Sequence, residues 1–89
     1  MARLDFYSTE MLAGAPAAVA TDALYELGLM YCSGRNGDYD LVEAHKWFNL
    51  AAMRGNADAK RLRLELAQEM TRAEISRAQK RAREWLSLH

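Results

Sequence analysis

Residues 23–34, ALYELGLMYCSG, read as a helix with too little polar surface to lie on the outside of a protein. At about 100° per residue, Ala20, Leu24, Leu27, Gly28 and Tyr31 share one face. Tyr25, Leu29 and Cys32 widen the apolar arc, which leaves Asp22, Glu26 and Ser33 as a narrow polar strip. A helix apolar around most of its circumference is expected to be covered on more than one side. Gly28, at its centre, costs about 1 kcal/mol of helix propensity relative to alanine. That cost is accounted for if another backbone approaches closely there.

The chain that must supply those neighbours has 89 residues, enough for one small domain. A chain of this size buries only about 60–65% of its unfolded surface, so each covering element matters. One proline and five glycines leave little room for a long linker. No apolar run approaches the roughly 20 residues that span a bilayer. Asp5 and Glu10 interrupt any apolar segment near the start, so a signal peptide is not expected and cytoplasmic residence is the default. Cys32 is the single cysteine, which excludes an internal disulfide.

The rest of the chain also reads as helix and tight turn. A weakly amphipathic helix is predicted over about 4–13, with Gly14 as its stop and Pro16 opening the next helix. In SGRNGDYD, Gly34, Asn36 and Gly37 tolerate left-handed backbone and let the chain reverse. Asp40 then caps a further helix, with Glu43 expected as its reciprocal capping partner. Its inward face is Leu41, Ala44, Trp47, Phe48, Ala51 and Ala52, bulky residues set beside small ones, and Gly55 and Asn56 end it. A helix over about 57–70 keeps Ala59, Leu62, Leu66 and Met70 on one face. Thr71 and Glu74 form a capping box for a last helix over about 72–87, with Ile75, Ala78, Ala82, Trp85 and Leu86 inward.

Ala23, Tyr25, Leu27, Gly28, Met30, Tyr31 and Gly34, followed by Asp40, Ala44, Trp47, Phe48, Ala51, Ala52 and Gly55, resemble one Sel-one-like repeat. This family is a relative of the tetratricopeptide repeat, with a unit of about 36 residues in two antiparallel helices. The resemblance implies an all-α fold, an α-α superhelix of helical hairpins with a full repeat at about 20–55. The helix at about 4–13 would cap the N-terminal side, and those at about 57–70 and 72–87 the C-terminal side. From Ala57 onward the pattern begins again, then loses the central glycine and the tyrosines and becomes charged, as a terminal cap would. Helix 23–33 would then lie between its own partner and the following helix. Because solenoids usually need about three units, either the caps serve as pseudo-repeats or two copies pair as a homodimer.

Chemistry is sparse. Cys32 and His45 are the available nucleophile and base, but nothing orients the imidazole; a small core thiol and a boundary histidine are the better reading. No metal or cofactor is expected, since too few ligands cluster. Tyr25, Tyr31, Trp47, Phe48 and Trp85, at helical spacing, read as core rather than as a pocket.

Net charge is zero, but residues 1–45 hold two bases against seven acids, and the remainder ten bases against five acids. Such polarity bears on association, including head-to-tail contact between copies. The expected function is therefore a non-enzymatic protein-interaction module with a protein partner and no membrane. Tyr25, Glu26, Leu29 and Met30 are the candidate partner-binding surface. The alternative is a nucleic-acid-associated regulator using Arg72, Arg77, Lys80, Arg81 and Arg83, against which neutral overall charge argues.

Overall fold

The structure, a computed structural model, describes residues 17–34 and 37–88. Four helices make up the described chain: α1 (Ala17–Ser33), α2 (Leu41–Met53), α3 (Ala57–Ala67) and α4 (Arg72–Leu88). The helix expected over 4–13 lies outside the described residues, as does Asn36.

Helix boundaries follow from local chemistry. Gly34 closes α1 with φ +69°, its N–H donating to the Met30 carbonyl at 3.0 Å. Gly37 has φ +82°, the left-handed backbone the reversal demands. Asp40 caps α2: its Oδ1 accepts from the N–H groups of Val42 at 3.0 Å and Glu43 at 3.1 Å. The reciprocal half of that box does not form. The Asp40 N–H donates instead to the Tyr31 carbonyl at 3.0 Å, which pins the two ends of the turn together and leaves Glu43 free for other partners. Thr71 and Glu74 do complete their box, with Glu74 Oε1 2.8 Å from the Thr71 nitrogen and Thr71 Oγ1 3.1 Å from the Glu74 nitrogen. Asn56, read as part of a helix end, also starts α3, accepting from the Ala59 N–H at 2.7 Å.

Packing centres on α2. It lies against α1, against α3 and against α4, whereas α3 and α4 have no comparable packing on each other. The expected arrangement, with residues 23–33 held between their partner and the following helix, is thus corrected: α2 is the middle rod, and α3 lies on it. This explains why Val42, His45 and Leu50 are buried along with Ala44, Trp47, Phe48 and Ala51. One inward face suffices for one neighbour, and α2 has three.

The main core joins Ala23, Leu24 and Leu27 of α1 to Ala44, Trp47, Phe48, Leu50 and Ala51 of α2, with Ala59 and Ala82 completing it. Phe48 and Leu24 are fully buried, worth about 2–3 kcal/mol each in apolar surface removed from water. Gly28 is the seat of the closest contact. The neighbour is the Phe48 ring rather than a backbone, and a β-carbon added at position 28 would overlap Cε1 and Cδ1 of that ring. A smaller cluster of Val42, Met70 and Ala78, flanked by Leu41, Leu66 and Ile75, closes the end where α3 turns into α4. Leu86, expected inward, is 41% exposed: Trp85 takes the inward position, its ring edge-on to Trp47 at 5.7 Å.

Candidate interaction surface

The four residues expected to meet a partner all lie on α1. Tyr25 and Leu29 are one turn apart, as are Glu26 and Met30, so the two pairs sit side by side. Glu26 is exposed, while Tyr25, Leu29 and Met30 are half-buried and pack against the core. The Tyr25 ring leans on Phe48 with centroids 5.9 Å apart, which ties part of this surface to the core. Asp22 is exposed one turn before Glu26.

The five basic candidates, Arg72, Arg77, Lys80, Arg81 and Arg83, are all exposed on α4. They do not form one uniform row. Arg81 Nη1 lies 2.9 Å from Glu43 Oε2, and Glu43 Oε1 lies 3.0 Å from Lys46 Nζ. The carboxylate released from the capping box therefore ties α4 to α2. Lys46 also stands 4.1 Å from the centroid of the Trp47 ring, a cation–π contact. Sequence reasoning missed the link from Glu43 to α4 because Arg81 lies 38 positions away; the Glu43–Lys46 half is an ordinary i,i+3 pair within α2.

His45 is 3% exposed, not at a boundary as its place in the sequence suggested. Its Nδ1 has no hydrogen-bond partner. Burial, and then the positive charge of Arg63, hold its pKa below the ordinary value of 6.5, which favours the neutral imidazole. The Cys32 thiol donates to the Leu29 carbonyl of its own helix at 3.7 Å, and no hydrogen bond joins it to His45. Among the described residues no three His, Cys, Asp or Glu side chains gather as a metal site would require. None of the described helices is long and apolar enough to cross a membrane.

An antiparallel pair of helices, closed by glycines at positive φ and locked by an aromatic ring over a central glycine, defines the class of α-α hairpin repeats. Residues 21–56 match the family model described as Sel1 repeat. This stretch, the α1–α2 hairpin, is a Sel1-like repeat. No curated protein and no solved structure matches the chain. Sel1 repeats are non-catalytic and generally mediate protein–protein interaction.

The match spans 36 positions, and counting on by that period from Gly28 reaches Leu64 in α3. The glycine that admits a ring is missing from α3, and the turn before α4 is shorter than the one before α2, which shifts the inward positions of α4 to Ala78, Ala82 and Trp85. Leu64 is left 55% exposed.

Proposed function

We propose that this chain is a non-enzymatic protein-interaction module in which the α1–α2 hairpin presents Tyr25, Glu26, Leu29 and Met30 to a protein partner. The observation that carries the reading is the Sel1-like unit at 21–56. Its first helix holds half-buried apolar groups around an exposed carboxylate. Such a face offers apolar contact area with a charge to set register. In this reading α3 and α4 act as a cap on the far side of α2, and their polar outer surfaces keep the array from extending there.

Affinity capture at low protein concentration, followed by mass spectrometry, tests it. Glu26→Lys combined with Leu29→Glu should abolish capture while circular dichroism stays unchanged; undiminished capture by that variant overturns the surface assignment. A parallel titration against DNA and RNA addresses Arg72, Arg77, Lys80 and Arg83. The interaction-module reading expects no binding that weakens steeply with salt.

A further inference from the structure

The contact between α2 and α3 is built around polar groups. Ala59 is the one buried residue of α3, and Leu62 and Leu66 are half-buried. On α2, His45 and Asn49 stand one turn apart and share a face. Asn49 Oδ1 accepts from Arg63 Nη1 at 2.6 Å, which sets that face against α3. His45 is buried there with its Nδ1 unpartnered, and Arg63 is the charge that acts on it.

Among the described charged groups on the elements around it, none offsets a proton on His45. Glu43, two positions back and so about 200° around α2, holds Lys46 and Arg81 of α4. Asp40 is engaged with the N–H groups of Val42 and Glu43 at the start of the helix. On α3, Asp58 and Glu65 pair with Arg61 in solvent, Lys60 is exposed, and Glu69 is exposed in the turn that follows. On α4, Glu74 is taken up by its capping box. On α1, Asp22 and Glu26 are exposed on the polar strip, away from the face that packs on α2. A proton on His45 therefore sets a second cation beside Arg63, and both burial and repulsion oppose it.

We propose that α3 is an acid-released latch: it closes on α2 while His45 is neutral and comes away when His45 takes a proton, with the α1–α2 hairpin and α4 still packed. The latch goes beyond the α1 surface and does not depend on it. The other helices keep their hold without α3. For α1 that hold is the core of Leu24, Leu27 and Phe48; for α4 it is Ala78, Ala82 and the edge-on contact of Trp85 with Trp47. α3 is 11 residues long, too short to persist as a helix in water alone, so it uncoils once undocked. Its release uncovers Leu62, Leu66 and the His45–Asn49 face of α2. Because the closed form holds the pKa of His45 below 6.5, the open form binds the proton more readily. Above 6.5 the balance of closed and open forms does not change with pH. Below it the open fraction rises by about tenfold per pH unit, the limit for a single proton, until the closed form titrates as well.

Native-state hydrogen exchange on the full chain, read amide by amide from neutral to mildly acidic pH and referred to the rates of an unstructured peptide, tests the latch. Amides of α3 should open at a lower free energy than the slowest amides of α1, α2 and α4, and with little dependence on urea. Their protection should fall by about tenfold per pH unit below 6.5. In His45→Gln and in His45→Leu, α3 should keep its separate opening and lose that fall. Three results would each overturn the latch: α3 sharing the opening free energy of the other helices, α3 protection that ignores pH, or a fall that persists in these variants, which retain His89. If neither His45 variant folds, Asn49→Ala supplies the second arm. Losing the acceptor for Arg63 should open α3 further at every pH and leave its fall below 6.5 in place. An α3 opening unchanged in Asn49→Ala, or one without the fall, overturns the proposal equally.

Discussion

The Phe48 ring occupies the space that a side chain at Gly28 would need: an added β-carbon would lie 3.0 Å from Cγ and overlap the neighbouring ring atoms. Phe48 is fully buried, so the ring has nowhere easy to move. Gly28→Ala should destabilise the chain in urea by about 1–3 kcal/mol of overpacking, partly offset by about 1 kcal/mol of helix propensity. Phe48→Leu should cost about 1–2 kcal/mol alone. In that background Gly28→Ala should become neutral or stabilising. A double-mutant cycle with no coupling would show that the contact does not constrain position 28.

Glu43 is held between two cations, Lys46 at 3.0 Å and Arg81 at 2.9 Å, and its side chain is 19% exposed. Arg81→Ala should cost only a few tenths to about 1 kcal/mol, because the arginine is 46% exposed. Glu43→Gln should cost about 1 kcal/mol or somewhat more, since it leaves Lys46 without its ion pair. Denaturation at low and high salt checks both, and the Arg81 effect should shrink as salt rises.

The buried imidazole of His45 makes stability depend on pH in one direction. Its folded pKa is lowered from 6.5, so the unfolded chain binds the proton more readily. The contribution of neutral His45 is intact above 6.5 and declines as pH falls below that value. Urea denaturation between neutral and mildly acidic pH should show this decline, and His45→Leu should flatten the part of it below 6.5. An unchanged slope in that variant would assign the pH dependence to other groups.

Caps should be separable from the ion pairs. Asp40→Ala removes the acceptor for two backbone N–H groups and should cost about 1–2 kcal/mol, with little dependence on salt. Thr71→Ala should cost about 1 kcal/mol, and guest Ser at position 71 should recover most of it. Thermal unfolding of the three variants provides the comparison.

What the sequence made legible was the part of the fold governed by nearest-neighbour chemistry. Glycines at 34 and 37, the Asp40 cap and the Thr71–Glu74 box follow from residues within four positions of one another. The outlines of α1 and α2 follow from helical period. The apolar excess around residues 23–34 correctly demanded a close neighbour at Gly28. It did not say whether a ring or a backbone would come, because Phe48 is equally plausible as ordinary core. Val42, Leu50 and His45 were missed for a related reason: a period reveals that a helix has an inward face, not how many helices surround it. Glu43 was misplaced because the Asp40 N–H found the Tyr31 carbonyl, an acceptor across the turn that local spacing does not disclose. Of the candidate surface, the exposure of Glu26 was legible in the polar strip with Asp22 and Ser33.

The place of α2 has a consequence for how the molecule comes apart. Each remaining described helix draws its principal packing from that one rod, so neither α1 nor the α3–α4 pair forms a self-sufficient folding unit. Hydrogen exchange should therefore find the slowest amides of α1, α2 and α4 sharing one opening free energy, and a fragment cut at the 54–56 turn should leave two pieces that are largely unstructured until they are recombined.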